Sequence, residues 1–358
     1  MDLPVNPPVL PMLANRVGAL PEGDRWIFEP KWDGFRTLVF RDGDELFIQS
    51  RDEKPLDRYF PELVETLKAQ LPNRCVLDGE IVIAQDGGLQ FESLQLRLHP
   101  AASRVKLLAE QIPAAIVFFD CLSDGDRNLC DAPFSERRAI MEQLLANIQA
   151  PLHITPATRD RSVAEDWFKR FEGAGLDGVI AKGQDIRYEP NKRVMLKVKH
   201  ERECDCVVAG FRWHKDNKGV AVGSLLLGLY DSSGNLEHVG VCASFPMAKR
   251  RELVEFLAPY RENAVEGHPW KAWAEWQPAE GAKRKPGGQS RWSAGKDLSW
   301  EPLRPELVIE VAYDHMQGMR FRHTAQFRRW RTDKRPTDCT FEQLEVVAPQ
   351  EVQEIFGT

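Results

Sequence analysis

A lysine between two carboxylates is the feature of this sequence that most directly suggests chemistry. In the segment "FEPKWDGFR", Lys31 lies two residues after Glu29 and two residues before Asp33. A free lysine has a pKa of about 10.4, so very few such amines are neutral and able to attack an electrophile at pH 7. Neighbouring cations such as Arg36 raise the neutral fraction because they disfavour the charged form. We therefore expect Lys31 to be a nucleophile in a positively charged pocket.

Charged residues also recur in four short apolar segments that we predict to be strands: Val76–Ile83, Ala115–Leu122, Asp177–Lys182 and Arg193–Lys199. These charges would be costly to bury without a partner or ligand, so we expect them to face a common pocket. Alternation places Lys197 and Lys199 on one face of the last strand. Lysines there would bind a triphosphate, and carboxylates would bind a divalent metal. Such a pocket favours attack by Lys31 on the α-phosphorus, with pyrophosphate leaving.

The first 200 residues alternate strand-like and helix-like segments, a pattern typical of a domain that mixes helices and sheets. Apolar residues at helical spacing predict a helix within residues 58–71. Ser162 and Glu165, read as a capping box, and the closing Gly173 and Gly175 predict another helix. This part of the chain is expected to carry the chemistry.

After residue 200 the pattern changes to four strand-like segments and one convincing helix at residues 248–260. Several strands with one helix in about 150 residues suit an OB-type β-barrel enlarged by an insertion. We predict an α+β fold with two domains, at residues 1–202 and 203–358. The first is expected to contain antiparallel sheets and helices, and the second to be the OB fold.

The bulk properties of the 358 residues limit the class of protein. The formal net charge of −6 argues against a wholly basic nucleic-acid coat, although local basic runs can still bind phosphates. The first residues lack the basic start and apolar core of a secretory signal. The seven cysteines show no paired spacing of a zinc site. We expect a cytoplasmic protein with most of its cysteines reduced in the core.

Taken together, these segments resemble the motifs of ATP-dependent DNA ligases in the covalent nucleotidyltransferase superfamily. "EPKWDGFR" is similar to the family's E-x-K-x-D-G-x-R, and further pieces follow in family order over nearly the whole chain. A lone K-x-D-G would be weak evidence for the family, whereas six or seven motifs in the family's order are specific evidence. The resemblance is closest to stand-alone bacterial ligases of the ligase C and ligase D type. The further pieces are "SRD" from Ser50, "LDGEIV" with Glu80, "FFD" with Phe119 and Asp120, "LDGVIAK" with Asp177 and Lys182, "MLKVK" with Lys197 and Lys199, and "RWRTDKRP" with Arg331, Asp333 and Lys334.

The resemblance implies a reaction in three steps. ATP adenylates Lys31, AMP passes to the 5′-phosphate of a nick in duplex DNA, and the neighbouring 3′-hydroxyl attacks with release of AMP. The implied cofactors are ATP and Mg²⁺, with Mn²⁺ as an alternative metal. The implied partners are nicked duplex DNA and proteins of end joining or excision repair, with no membrane. The expected location is the bacterial cytoplasm, with the nucleoid as the site of action on DNA.

The same resemblance implies roles for the matched residues that hold the nucleoside. Glu29 would lie near the adenine through its backbone, and Phe119 would stack on the base. Arg36 and Glu80 would hold the ribose and the nick side of the site. Arg51 would contact phosphate or sugar.

A second group of matched residues would hold phosphates and metal. Glu80 and Asp177 are expected near the metal, although the family usually has Glu where this chain has the shorter Asp177. An aspartate still binds Mg²⁺ directly or through water. The remaining expectations are Lys182, Lys197 and Lys199 at the α-phosphate, and Arg331, Asp333 and Lys334 as the barrel residues that orient the pyrophosphate.

Three alternatives to a DNA ligase remain open. An mRNA-capping guanylyltransferase shares the lysine and barrel but uses GTP, and the ligase-type Glu29 and Arg36 argue against it; an RNA ligase is a related alternative. A DNA-end-binding protein without activity would form no lysine adduct.

Two further segments lie outside the motifs. Trp270, Trp273 and Trp276 have helical spacing, which favours a packed helical face over a base-stacking platform. The basic segment Ala282–Lys296 surrounds Trp292 and predicts contacts with DNA phosphates.

Overall fold

The computed structural model describes residues 1–274, 299–344 and 351–356. Within them the chain forms two compact units that divide between Lys199 and His200. The segment at residues 351–356 belongs to the first unit rather than to the second, where the predicted range 203–358 had placed it. The reason is burial, because Val352 and Ile355 lie in the apolar core of the first unit.

The first unit contains the strands β1 (Leu13–Val17), β2 (Trp26–Pro30), β3 (Phe35–Asp42), β4 (Glu45–Ser50), β5 (Arg74–Val82), β6 (Ala84–Gln85), β7 (Gly88–Leu89), β8 (Ala115–Asp124), β9 (Arg127–Asn128), β10 (Leu152–Ile154), β11 (Val179–Gly183) and β12 (Arg193–Val198). Its helices are α1 (Pro61–Gln70), α2 (Phe91–Leu96), α3 (Ala102–Gln111), α4 (Phe134–Leu144) and α5 (Arg161–Arg170). The second unit contains β13 (Arg202–Trp213), β14 (Val222–Tyr230), β15 (Leu236–Cys242), α6 (Met247–Arg261), α7 (Lys271–Ala274), β16 (Glu301–Tyr313), β17 (Met316–Gln317), β18 (Arg320–Phe321) and β19 (Gln326–Trp330). The helix α8 (Val352–Phe356) completes the first unit.

Two sheets form the frame of the first unit, with strand orders β1-β12-β11-β2 and β10-β8-β5-β3-β4. Alternation along β3 divides its side chains between two cores. Val39 packs in the cluster that includes residues of α1 and α4, while Leu38 and Phe40 pack with Met195 of the smaller sheet. The strands are therefore apolar on both faces, and their charged residues need partners.

Buried Asp120 of β8 has such a partner in Arg137 of α4. Both side chains are fully buried, and the Arg137 Nε and Nη2 groups donate to the carboxylate at 2.8 and 3.0 Å. The Nη1 group donates to the carbonyls of Ala132 and Ile186. Asp120 therefore fixes α4 and the chain before β12 against β8.

The predicted capping box of α5 is wrong, although a helix is present. The helix begins at Arg161, and the carboxylate of Asp160 accepts from the Ser162 backbone N–H at 2.8 Å. A charged acceptor therefore occupies the N-cap, and Glu165 pairs with Arg161 instead. At the other end, α5 stops at Arg170, and a 3₁₀ helix at Phe171–Ala174 follows it; Gly175, with a left-handed φ of 84°, closes this second helix rather than α5 itself.

The second unit is a five-stranded barrel with the order β15-β14-β13-β16-β19. A parallel bridge between Cys242 and Ala325 brings the end of β15 to the start of β19 and closes the sheet. The predicted helix is present as α6. The α+β fold with an OB-type barrel is thus confirmed.

The tryptophan segment lies partly within the described residues. Trp270 is buried in the barrel core, where its indole N–H donates to the Leu236 carbonyl at 2.7 Å. It precedes α7, so it does not lie on a helical face. Trp276 and the basic segment Ala282–Lys296 lie outside the described residues. None of the helices among those residues is long and apolar enough to cross a bilayer.

Replacing Arg137 by Met should lower the free energy of unfolding by about 3–5 kcal/mol, because Asp120 would remain buried without its counter-charge. Urea denaturation measures the change. The control is Arg25→Met, which breaks an exposed pair with Asp185 and should cost no more than about 1 kcal/mol. Equal costs for both variants would contradict the assignment.

Candidate active site

A pocket in the first unit is lined by residues of both sheets. It encloses about 820 Å³ including its open mouth, within the range of ligand sites. Six cationic side chains and two carboxylates line it, a balance that suits a polyanion. The lining includes eight residues singled out from the sequence: Glu29, Lys31, Arg36, Arg51, Glu80, Phe119, Lys182 and Lys197.

The backbone of Lys31 is fixed by the segment before β11. The Lys31 N–H donates to the Gly178 carbonyl at 2.8 Å, and its carbonyl accepts from the Asp177 N–H at 2.9 Å. Gly178 has a φ of +133°, and a Cβ there would lie 2.0 Å from the Val198 carbonyl oxygen. Only glycine fits, so this Asp-Gly pair is a clamp on the lysine segment rather than an ordinary turn.

The amine of Lys31 shares one carboxylate oxygen with a second lysine. Its Nζ lies 2.7 Å from Asp177 Oδ2, and Lys199 Nζ lies 2.6 Å from the same atom. Burial acts to raise the pKa of Asp177, but the two ammonium groups outweigh it and lower the pKa below its usual value. The carboxylate therefore stays ionised and holds the two cations together.

Lys197 extends this cationic group. Burial lowers the pKa of Lys197, and the charges of Lys199 and Lys31 lower it further. The strand β12 ends at Val198, one residue before the predicted end at Lys199. The amine of Lys199 nevertheless lies close to that of Lys31, because both contact Asp177 Oδ2. Three lysines with one carboxylate among them form a site for a phosphate.

Arg36 is held rigidly at another wall of the pocket. Its guanidinium pairs with both oxygens of buried Asp78 at 2.5 and 2.6 Å, and the Tyr188 hydroxyl donates to the same carboxylate at 2.6 Å. Burial opposes the charge of Arg36, but Asp78 raises its pKa well above the usual value. The guanidinium lies 4.5 Å from the centre of the Phe119 ring. Arg36 is therefore a permanently charged, fixed group next to the predicted base-stacking residue.

Lys182 lies in a different cluster from the other two lysines expected at the α-phosphate. Its Nζ is 2.7 Å from Glu29 Oε2 and donates to the Phe119 carbonyl at 3.0 Å. The other Glu29 oxygen pairs with Arg138 of α4 at 3.1 Å. Because these charges are buried, they satisfy each other, and Lys182 faces Phe119 rather than Asp177.

Glu80 is the carboxylate of the pocket that best suits the role of a metal ligand. It accepts from the Gly34 N–H at 3.0 Å, and burial raises its pKa, an effect that Lys31 and Arg36 partly offset. Mg²⁺ is often held by one or two carboxylates together with substrate phosphates. Glu80 fits that pattern, whereas Asp177 Oδ2 is occupied by two ammonium groups.

In the second unit, the predicted Arg331, Asp333 and Lys334 form a paired group. Arg331 donates to Asp333 at 2.9 Å and to Asp205 at 3.0 Å, and Lys334 lies 2.8 Å from Asp205. The hydrogen bond from Arg331 lowers the pKa of Asp333 to about 2. All three nitrogens of the Arg331 guanidinium thus face carboxylates. Pyrophosphate would therefore have to displace one of these carboxylates.

Several site residues were missed from the sequence. Tyr188 and Arg138 were not expected, and Asp78 was expected only as a charged residue of its strand; Asp78 holds Arg36, Tyr188 donates to Asp78, and Arg138 holds Glu29, partners that no sequence spacing links. Trp32 and Arg193 also line the pocket. Arg193 could have been found from the sequence, because it lies in the basic run Asn191–Arg202. Trp32 could have been found only from its position next to Lys31.

Comparisons with known proteins agree with this geometry. A family model described as "ATP dependent DNA ligase domain" matches residues 11–199, and one described as "ATP dependent DNA ligase C terminal region" matches residues 218–334. The first range contains the pocket, and the second contains the Arg331 group.

Two relatives match over almost the whole chain. DNA ligase C2 of Mycolicibacterium smegmatis is 58% identical, and DNA ligase C of Mycobacterium tuberculosis is 54% identical; in each case the match covers 96% of this chain and 96% of the relative. A solved structure titled "DNA binding with a minimal scaffold: Structure-function analysis of Lig E DNA ligases" is 16% identical, with a TM-score of 0.55 over 90% of this chain and 100% of the other. That likeness concerns the fold alone.

Replacing Gly34 by Ala should lower the free energy of unfolding by about 1–3 kcal/mol, because the added Cβ would meet the Ile81 carbonyl oxygen at 2.0 Å. The matched control is Gly18→Ala, where no atom lies within 4 Å and the change should stay within about 0.5 kcal/mol. Thermal or urea unfolding compares the two. A neutral Gly34→Ala would show that the segment after Lys31 is not tightly packed.

Proposed function

The chain belongs to the family of ATP-dependent DNA ligases, and we propose that Lys31 is its nucleophile. It is an enzyme that seals 5′-phosphate/3′-hydroxyl nicks in DNA through a lysyl-AMP and a DNA-adenylate. The observation that supports Lys31 most strongly is its amine, held at 2.7 Å from Asp177 in a pocket whose charged residues are mainly cationic.

In the first step the Lys31 nitrogen forms a bond to the α-phosphorus as the bond to pyrophosphate breaks. The ammonium group must first give a proton to water and leave its contact with Asp177. Lys197 and Lys199 then neutralise charge on the phosphoryl oxygens. An incoming phosphate competes with Asp177 for Lys199, so binding of the nucleotide itself loosens the shared contact.

We assign Lys182 and Glu29 to the base end of the pocket. Their ion pair lies against Phe119, and Lys182 Nζ is 4.9 Å from the centre of the ring that is expected to stack on adenine. A buried pair of opposite charge can donate to and accept from a purine edge without net charge. The expectation that Lys182 holds the α-phosphate stays a prediction beside this proposal. Arg36 and Glu80 remain the groups proposed for the ribose and nick side, and Arg51 remains proposed for phosphate or sugar.

The metal requirement is proposed with Glu80 as the main protein ligand. Mg²⁺ carried by the phosphates would withdraw charge from the phosphoryl group during attack. The Oδ2 atom of Asp177 becomes available as a ligand only after Lys31 and Lys199 leave it. We propose Mg²⁺ as the metal, with Mn²⁺ as the alternative.

The wider role is proposed from the family alone. We propose sealing of nicks during DNA repair, together with end-joining or excision-repair proteins, in the cytoplasm and on the nucleoid. The domain division at 1–202 and 203–358 remains a prediction apart from the position of α8. The roles of Arg331, Asp333 and Lys334 in orienting pyrophosphate also remain predictions.

Lys31→Ala and Lys31→Arg should both abolish covalent labelling by ATP, because neither offers a neutral primary amine. Mass spectrometry of protein incubated with ATP and Mg²⁺ should find AMP on Lys31 of the parent. The control Lys54→Ala changes an exposed lysine of the same unit and should label at the parental rate. Labelling by GTP alone would favour the capping-type enzyme, and binding of nicked duplex without any adduct would favour the inactive DNA-end-binding protein.

Lys334→Ala should slow self-adenylation at least tenfold, while sealing of DNA that already bears a 5′-AMP should change less than about threefold. The reason is that pyrophosphate leaves only in the first step. Single-turnover assays of the two reactions make the comparison, with the exposed Lys215→Ala of the same unit as the control. Equal losses in both reactions would contradict the assigned role.

A further inference from the structure

The short helix α8 packs on the first unit beside the lysine segment. Val352 and Ile355 are buried against Trp167 and Phe171, and the Val352 N–H donates to the Gly87 carbonyl at 2.7 Å. Neither matched family range, 11–199 or 218–334, includes this helix. The family resemblance therefore assigns it no role.

The last described residue of α8, Phe356, lies between two flat side chains of the first unit. Its ring centre is 5.3 Å from that of Trp32 with the planes 5° apart, and 4.0 Å from that of His153 with the planes 11° apart. Burial lowers the pKa of His153 to about 4, so this ring is neutral near pH 7. The three rings form one stack of uncharged groups, a favourable arrangement for aromatic side chains.

Trp32 is the residue that follows Lys31, and it is fixed on a second side. Its indole N–H donates to the Thr155 hydroxyl at 2.8 Å, and only 4% of the residue is exposed. Its carbonyl oxygen lies 3.5 Å from Lys31 Nζ. Lys31 is thus held by the Asp177–Gly178 clamp through its own backbone and by the ring stack through the next residue.

We propose that Phe356 is a positioning residue for the amine of Lys31, acting through Trp32. The inference rests on the proposed function, since it takes Lys31 as the nucleophile. Removing the ring uncovers one face of Trp32, which then has room to turn and to move the backbone that carries Lys31. Because attack requires the amine in line with the departing group, a small displacement lowers the rate of adenylation more than it lowers nucleotide affinity.

The test compares Phe356→Ala with Phe356→Tyr and with Gln353→Ala, an exposed change on the same helix. Single-turnover formation of lysyl-AMP is measured over a range of ATP concentrations. Phe356→Ala should reduce the maximal rate about tenfold or more, with the half-saturating ATP concentration within about threefold of the parent. Phe356→Tyr keeps a planar ring and should recover most of the rate, and Gln353→Ala should match the parent.

A second reaction separates positioning from general damage. Sealing of a nick that already bears 5′-AMP does not use the amine of Lys31, so Phe356→Ala should seal it within about twofold of the parent. A parental adenylation rate in Phe356→Ala, or equal losses in both reactions, would overturn the inference. If Phe356→Ala cannot be purified, Phe356→Leu takes its place, with an expected loss of about threefold and the same criteria.

Hydrogen exchange distinguishes failure of this inference from failure of the proposed function. The amide of Lys31, bonded to the Gly178 carbonyl, should exchange faster in Phe356→Ala than in Gln353→Ala, whatever the activity. Unchanged exchange would overturn the inference even if the parent is adenylated on Lys31. Absence of any adduct in the parent would instead refute the proposed function.

Discussion

A single carboxylate oxygen, Oδ2 of Asp177, accepts from the amines of Lys31 and Lys199, and the first unit is arranged so that these charges can lie side by side. Two lysines at this separation repel each other, and burial would ordinarily disfavour both. The carboxylate offsets the repulsion. Gly178 lets β12 approach closely, and the backbone of Asp177 and Gly178 holds the backbone of Lys31. A phosphate can therefore replace Asp177 as the anionic partner of these two ammonium groups.

The other buried charges of the unit follow the same logic of local pairing. Arg36 is bound by Asp78, whose carboxylate also accepts from the Tyr188 hydroxyl, and Glu29 is bound by Lys182 and Arg138. Breaking such a pair is costly because the remaining charge cannot return to water. These pairs give the pocket fixed walls, which matters because its substrate contacts depend on preorganised charge.

The sequence predicted the fold class, the barrel and seven of the eight charged residues that line the pocket, because most of the motif residues occupy strands whose alternation directs them inward. It did not predict which charges pair. Lys182 follows the same reasoning as Lys197 in sequence, yet the antiparallel register of β11 against β2 puts it beside Glu29. The N-cap of α5 is Asp160 rather than the expected Ser162, because the Asp160 carboxylate lies two residues earlier and accepts the Ser162 N–H. The position of α8 also escaped prediction, since its short apolar pattern does not say which unit it covers.

The central claim is that the amine of Lys31 leaves Asp177 to become bonded to phosphorus. The most direct measurement is a crystal structure of the protein after incubation with ATP and Mg²⁺. We expect a covalent bond from Lys31 Nζ to the AMP phosphorus, with Nζ beyond hydrogen-bond distance of Asp177 Oδ2 and Lys199 turned toward a phosphoryl oxygen. A nucleotide bound without a covalent bond while Lys31 still contacts Asp177, or an AMP group on another side chain, would contradict the account.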